Sequence, residues 1–150
     1  MKKLIALLAS SLFLAGAVWA GEYAEISVQD LDAAIKAGKV TVIDVNGSDS
    51  YANRGHVPGA IDFVANKEKL ASLLPADKSQ LIVAYCGGPD CGAYAKAANA
   101  AAELGYTNVK HLKAGIAGWL EASMPVEKSA QKPGCSACQK CEKKDDDGMN

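Results

Sequence analysis

Residues 81–92 constrain the fold of this chain more than any other stretch, because they combine a strand, a thiol and the start of a helix. An apolar run of β-forming residues opens the stretch and predicts a buried strand. The run ends at Cys86, where two glycines and a proline require a tight loop before an alanine-rich helical pattern over residues 93–104. An α/β fold usually places its chemistry at such a strand end. We therefore predict that Cys86 is a nucleophile.

Strands and helices alternate in the rest of the pattern. Ser27 is predicted to cap a first helix with Asp30 as its capping-box acid, and the β-branched residues 40–45 are typical of a buried parallel strand. The remaining predicted elements are a short helix capped by Ser48 or Asp49, a strand at 61–63, a helix at 66–74, a strand at 109–112 and a helix from Ala114. Such alternation predicts an α/β fold with a mostly parallel central sheet and helices on both faces.

Residues 1–20 have the pattern of a secretory signal peptide. Lys2 and Lys3 precede an apolar run at 4–17, and small residues around Ala20 form a cleavage pattern. The apolar run is short for a membrane span, so we expect cleavage after Ala20 and no membrane attachment afterwards. This predicts a periplasmic or secreted protein, with a retained N-terminal anchor as the alternative.

The composition fits one compact domain followed by a tail. The chain has 150 residues, a formal charge of −1 and no basic stretch, which argues against a nucleic-acid partner. Aliphatic residues nearly vanish after Val126, where Lys, Gln, Pro, Gly and Asp dominate. We therefore predict a domain at 21–126, a flexible tail at 127–150 and a monomeric protein.

Five short motifs occur in a specific order and spacing. They are IDV at 43–45, GHVPGA at 55–60, YC at 85–86 with its glycine loop, GY at 105–106 with Val109, and AGI at 114–116 with Trp119. Over roughly residues 25–125 the chain thereby resembles a single-domain rhodanese, a sulfurtransferase. The resemblance implies the rhodanese-like α/β fold. It also implies that Cys86 accepts a sulfane sulfur as a persulfide and passes it to a thiol or another nucleophile, with no cofactor required.

The predicted active-site loop departs from the usual pattern of that family. It consists of Gly87, Gly88, Pro89, Asp90, Cys91 and Gly92 after the nucleophile, and it forms a Cys-x4-Cys variant. The family usually has a basic residue in this loop, whereas here none lies between Cys86 and Lys96. Thiosulfate, a dianion, would lack a charge-assisted partner beside Asp90, so polysulfide, a small persulfide or a protein persulfide is the expected donor. Phosphatase and arsenate reductase activities are disfavoured for the same reason, because they need an arginine on the oxyanion.

Cys86 must ionise to act as a nucleophile. We expect backbone N–H groups of the loop and the following helix N-terminus to converge on its sulfur and stabilise the thiolate. Gly87 and Gly88 permit the backbone turns that this arrangement requires, since glycine tolerates positive φ angles.

Cys91 has three alternative roles. As a resolving thiol it would attack a Cys86 persulfide or sulfenate and close a small disulfide loop. As a structural disulfide partner it would remove Cys86 from chemistry, and as a bystander it would pack under the helix. The first role leaves open an alternative function, a thiol–disulfide redox protein that cycles between the Cys86–Cys91 disulfide and two thiols.

Cys135, Cys138 and Cys141 form a C-x2-C-x2-C motif in the predicted tail. Their spacing would suit a soft metal ion, Cu(I) or Zn(II), if a further ligand completed the site. A local disulfide, a thiol relay to Cys86 and incidental oxidation are the alternatives. The metal hypothesis leaves open a third function, a non-catalytic module that binds a metal or a partner through the tail.

Several other chemically active side chains are assigned structural roles. His56 lies in the GHVPGA turn, so we expect it to be structural, with a role as general base as the alternative. Trp119 and Tyr85 are expected in the core and His111 in a strand. Asp44 is expected to hold the neighbouring loop, while Asn46 stands where the rhodanese pattern has the arginine of a structural ion pair.

Overall fold

A five-stranded parallel sheet forms the centre of residues 23–129, the part of the chain that the computed structural model describes. Its strands are β1 (Ala24–Glu25), β2 (Val40–Asp44), β3 (Ile61–Asp62), β4 (Leu81–Tyr85) and β5 (Val109–Leu112), in the spatial order β1-β5-β4-β2-β3. Every neighbouring pair is parallel. The predicted α/β fold with a mostly parallel sheet is therefore confirmed.

Helices cover both faces of the sheet, as predicted. They are α1 (Val28–Lys36), α2 (Ser48–Asn53), α3 (Phe63–Asn66), α4 (Leu70–Leu73), α5 (Tyr94–Glu103) and α6 (Gly115–Glu121), with a 3-10 turn at Lys67–Lys69. Within the described residues, no helix is long and apolar enough to cross a membrane.

The central strand β4 divides the core into two apolar clusters, because successive side chains of a strand point to opposite faces. Val83 and Tyr85 pack on the face that α1 and α6 cover, together with the fully buried Trp119. Ile82 and Ala84 pack on the other face, against α3, α4 and α5. The end of β4 is therefore enclosed from both sides, and this is where Cys86 follows.

The start of α1 agrees with the sequence pattern. Ser27 is the N-cap, and its hydroxyl oxygen accepts a hydrogen bond of 3.0 Å from the backbone N–H of Asp30. The Asp30 carboxylate accepts a hydrogen bond of 2.7 Å from the Ser27 hydroxyl. This satisfies one of the N–H groups that a helix start leaves without an internal partner.

Three local predictions were wrong in their caps or boundaries. Helix α2 begins at Ser48 after Gly47, whose φ of 91° turns the chain, and no side chain caps it. The predicted strand at 61–63 ends at Asp62, whose carboxylate accepts hydrogen bonds from two backbone N–H groups and starts α3 at Phe63. The predicted helix at 66–74 is divided between α3, the 3-10 turn and α4.

Strand β1 and the segment around Glu127 were not predicted as paired elements. Two residues of β1 pair with β5, too few to produce a recognisable alternation in the sequence. Glu127, the first residue of the predicted tail, forms an antiparallel bridge with His56 through backbone hydrogen bonds of 2.9 and 3.0 Å. The predicted signal peptide and the tail beyond Ser129 lie outside the described residues.

Candidate active site

The loop after β4 is attached to the first turn of α6 through its carbonyl groups. The N–H of Ile116 donates to the carbonyl oxygen of Cys86 at 2.9 Å, and the N–H of Ala117 donates to that of Gly87 at 3.1 Å. Two of the N–H groups that helix α6 leaves without internal partners are thereby satisfied. The two carbonyls are held on the α6 side, which leaves loop N–H groups available to the thiols.

Gly115 permits this attachment. A Cβ atom at this position would lie 2.5 Å from the Cys86 carbonyl oxygen and 2.6 Å from the Gly88 nitrogen. Gly115 also has a φ of 59°, a conformation that glycine adopts without a steric penalty. The positive φ that Gly87 and Gly88 were expected to tolerate is not used there, and the left-handed residue at this site is Gly115.

Cys86 lies directly after β4, and 3% of its surface is exposed. Its thiol donates a hydrogen bond of 2.6 Å to the carbonyl oxygen of Cys91. Burial raises the pKa of the Cys86 thiol, and the hydrogen bond with the Cys91 side chain raises it further. Backbone N–H groups of Tyr94 and Gly88 act in the opposite direction by favouring the thiolate. The expected N–H groups are therefore present, but burial and Cys91 outweigh them.

Cys91 has the opposite electrostatic environment. The hydrogen bond from the Cys86 thiol holds the pKa of Cys91 below its ordinary value. The backbone N–H groups of Gly87 and Ala93 lower the same pKa further. The two pKa shifts therefore run in opposite directions, so Cys91 ionises more readily than an ordinary cysteine and Cys86 less readily.

The predicted loop residues divide into an inner and an outer group. Cys86 is buried, and Gly87, Gly88 and Cys91 are half-buried around it. Pro89, Asp90 and Gly92 form the exposed outer part of the loop. Both cysteines are free thiols, so the structure brings the predicted nucleophile and the predicted resolving thiol together without a disulfide between them.

On the face of the sheet that α1 and α6 cover, the end of β2 is held by a buried polar network. The Tyr85 hydroxyl donates to the Asp44 carboxylate at 2.6 Å and accepts from the Val57 N–H at 3.0 Å. The backbone N–H and the side-chain amide of Asn46 donate to the other Asp44 oxygen at 2.7 and 2.8 Å. Three neutral donors thus replace the arginine expected here, and Asp44 holds the neighbouring loop as predicted. Sequence reasoning missed the contribution of Asn46.

The two histidines contact aromatic rings and backbone rather than the thiols. His56 is buried and stacks on Tyr51 with ring centroids 3.5 Å apart, and its Nε2 lies 3.8 Å from a Glu127 carboxylate oxygen. His111 stacks on Tyr94 with centroids 4.0 Å apart. The N–H of Tyr94 favours the Cys86 thiolate, so the stacking of His111 on Tyr94 supports the residue that supplies this N–H. These contacts favour structural roles for both histidines.

Among residues 23–129, no group of three or more His, Cys, Asp or Glu side chains has the geometry of a metal site. The three cysteines of the predicted tail metal site, Cys135, Cys138 and Cys141, lie outside the described residues. Their proposed Cu or Zn ion therefore remains a prediction.

Known proteins were compared with the chain in sequence and in structure. The model of the rhodanese-like domain matches residues 27–122. A solved structure from Bacillus halodurans is 31% identical, with a TM-score of 0.55, and the match covers 71% of this chain and 77% of that one. A rhodanese-related protein from Thermoplasma volcanium is 25% identical, with a TM-score of 0.55 and coverage of 71% and 100%. The human single-domain sulfurtransferase shares the fold at 23% identity, with a TM-score of 0.51 and coverage of 65% and 95%. Comparison with curated proteins gave no match.

Proposed function

Because this chain belongs to the rhodanese-like domain family, we propose that it is a sulfurtransferase that carries sulfane sulfur as a persulfide on Cys86. The family and the sulfurtransferases among the similar structures support a sulfurtransferase-type function. The proposed location is the periplasm or the exterior of the cell, on the basis of the signal-peptide pattern in residues 1–20.

The observation that carries this proposal is the cradle of backbone N–H groups at the end of β4. Gly88 and Tyr94 direct N–H groups to the Cys86 sulfur, while the Cys86 and Gly87 carbonyls are bonded to α6. Donors arranged in this way favour negative charge on sulfur without any reorganisation during the reaction. A terminal persulfide anion on Cys86 would be stabilised by the same groups.

Loading of Cys86 begins with loss of its proton to solvent, because the thiolate is the nucleophile. A small persulfide R–S–SH places its outer sulfur against the Cys86 thiolate, which attacks it. The S–S bond of the donor breaks, R–S⁻ leaves, and Cys86–S–SH remains. Burial opposes the ionisation of Cys86, whereas the N–H groups of Tyr94 and Gly88 favour it.

The preferred donors are small persulfides, polysulfide and protein persulfides, and the acceptor is a thiol or another nucleophile. No lysine or arginine lies between Cys86 and Lys96, and Asp90 is exposed on the outer loop. A thiosulfate dianion would therefore enter without a cationic partner and next to a carboxylate. We expect thiosulfate to be a poor donor.

The test compares two single substitutions in the full chain with Cys135, Cys138 and Cys141 replaced by serine. Reduced protein is incubated with polysulfide and examined by intact mass spectrometry, followed by treatment with cyanide. The Cys91→Ser variant should gain one cyanide-removable sulfur atom on Cys86, and the Cys86→Ser variant should gain none. Equal loading of the two variants would exclude Cys86 as the carrier.

A further inference from the structure

The active-site loop contains a second thiol, Cys91, that the proposed transfer leaves beside the newly formed persulfide. Cys91 is separated from Cys86 by four residues in sequence, and the Cys86 thiol contacts the Cys91 carbonyl oxygen at 2.6 Å. The side chains also share a hydrogen bond that affects both thiols. A sulfur atom added to Cys86 would therefore lie within the immediate surroundings of Cys91.

We propose that Cys91 attacks the Cys86 persulfide and releases its outer sulfur as hydrosulfide, which gives this site a persulfide-reducing activity. This inference rests on the proposed function, since it requires sulfur to be loaded on Cys86. In the step, Cys91–S⁻ attacks the inner sulfur of Cys86–S–SH, the S–S bond of the persulfide breaks, and HS⁻ leaves. The Cys86–Cys91 disulfide forms, so the two thiols are oxidised by two electrons and the sulfane sulfur is reduced to sulfide.

The two cysteines differ in accessibility and in charge, and both differences suit this division of roles. Cys86 is buried, whereas Cys91 is half-buried at the boundary of the exposed outer loop. The N–H groups of Gly87 and Ala93 favour the thiolate of Cys91, which is the form that attacks a disulfide-like bond. Before it attacks, Cys91 gives its own proton to the departing thiolate or to water.

The loop is held to α6 at its Cys86 end, whereas the hydrogen bonds at its Cys91 end are local. This difference allows the two sulfurs to approach bonding distance. The Cys86 and Gly87 carbonyls are bonded to α6, so the carrier sulfur stays in place. On the Cys91 side, the backbone contacts are turn bonds within the loop and the start of α5, from Cys91 to Gly88 and from Ala95 to Gly92. A Cβ at Gly92 would meet no atom within 4 Å, so there is space for this part of the loop to shift.

Turnover of this activity requires a two-electron reductant, which we assign to the class of dithiols. A dithiol opens the disulfide by attack on one sulfur and closes its own disulfide with the other thiolate, which returns Cys86 and Cys91 to the reduced state. Without a dithiol, each chain should release one equivalent of hydrosulfide and stop.

The test uses the full chain with the three tail cysteines replaced by serine and with both loop thiols intact. A small organic persulfide is the donor, because its leaving group is an organic thiolate rather than sulfide. The protein is loaded in mildly acidic buffer, where less of Cys91 is ionised than at alkaline pH, freed of excess donor, and then transferred to alkaline buffer. Hydrosulfide is measured in solution, and the loop is mapped by mass spectrometry without reduction.

The expected result is one hydrosulfide per loaded chain, together with a Cys86–Cys91 disulfide. In the matched Cys91→Ser variant, the persulfide should stay on Cys86 and hydrosulfide release should slow by more than about tenfold, because no internal thiol can attack it. Persistence of the Cys86 persulfide in the chain with both thiols, or migration of the sulfur to Cys91 without hydrosulfide release, would overturn the inference and leave the proposed carrier function intact. Failure of the Cys91→Ser variant to load sulfur would instead refute the carrier function.

Discussion

Tyr85 and Cys86 are adjacent in the chain, yet one belongs to a fixed polar network and the other to a pair of thiols whose pKa values shift in opposite directions. The Tyr85 hydroxyl is enclosed between Asp44 and the Val57 N–H. The Cys86 sulfur faces backbone N–H groups and the Cys91 side chain. A strand end can thus supply rigidity on one face of the sheet and reactivity on the other.

The partner of each group decides which role it has. Burial raises the pKa of the Tyr85 hydroxyl far above its ordinary value, and the charge of Asp44 raises it further, so Tyr85 remains a hydrogen-bond donor at all physiological pH values. Burial also raises the pKa of Cys86, but its neighbour is a second thiol, whose pKa is lowered. The two buried groups thus differ in their partners, because Tyr85 donates to a carboxylate whereas Cys86 lies beside a second nucleophile.

The largest expected effect comes from a substitution at Gly115, where the first turn of α6 supports the backbone of the active-site loop. In Gly115→Ala, the new Cβ would overlap the backbone of Cys86 and Gly88 and would occupy a left-handed conformation. We expect a loss of more than about 2 kcal/mol in the free energy of unfolding and a loss of sulfur loading on Cys86. Urea denaturation and intact mass spectrometry measure the two effects.

Gly38→Ala is the matched control for Gly115→Ala. Gly38 has a similar φ of 64°, but a Cβ there would meet no atom within 4 Å. This variant should show the smaller backbone cost of about 1 kcal/mol and full sulfur loading. Equal effects of the two substitutions would show that the contact between Gly115 and the loop is unimportant.

The second prediction concerns the hydrogen-bond network of Tyr85 and Asp44. Tyr85→Phe removes the hydroxyl that donates to the buried Asp44 carboxylate and accepts from Val57, and the two groups are left without this partner. The free energy of unfolding should fall by about 1–3 kcal/mol. Cys86 should still accept sulfur, because the Asp44 network and the Cys86 sulfur lie on opposite faces of the sheet. Thermal or urea denaturation tests the first part and sulfur loading the second.

Tyr51→Phe provides the comparison for Tyr85→Phe. The Tyr51 hydroxyl donates to a neutral backbone carbonyl, that of Ala60, at 2.6 Å. Its removal should cost about 0.5–1.5 kcal/mol, less than removal of a hydroxyl that serves a buried carboxylate. A larger loss from Tyr51→Phe than from Tyr85→Phe would contradict the importance assigned to the Asp44 network.

The smallest expected effect is a difference in the pH dependence of the two thiols. A thiolate forms as the pH rises through the pKa, so the lowered pKa of Cys91 moves its alkylation by iodoacetamide to lower pH than that of an unperturbed cysteine. The raised pKa of Cys86 moves its alkylation to higher pH. Peptide mapping across a pH series, in the chain without tail cysteines, separates the two reactions.

The Cys91→Ser variant sharpens this measurement. Without the Cys91 thiol, Cys86 loses one of the contributions that raise its pKa, so its alkylation should begin at lower pH than in the chain with both thiols. Burial of Cys86 continues to act in the opposite direction. Alkylation of Cys86 at lower pH than Cys91 in the unsubstituted loop would contradict the assigned directions of the two pKa shifts.

Local pattern predicted the elements that have a strong repeating signal. The β-branched residues 40–45 and the apolar run before Cys86 became β2 and β4, and Ser27 capped α1 as expected. The failures occurred at element boundaries, as where the Asp62 carboxylate starts α3 at Phe63, a residue of the predicted strand at 61–63. Such a cap depends on how the chain leaves the preceding strand, which hydrophobic periodicity does not report.

The sequence by itself determined the α/β fold, the position of a thiol at the end of a buried strand and the absence of a basic residue between Cys86 and Lys96, because these follow from periodicity and from residue identity. Only the tertiary structure decided that the pKa of Cys86 is raised and that of Cys91 is lowered, because burial of Cys86 and the N–H groups around Cys91 arise when α6 and α5 meet the loop. It also assigned the left-handed glycine to Gly115, nearly thirty residues after the thiol it supports. Long-range contacts, rather than local pattern, set the electrostatics of this site.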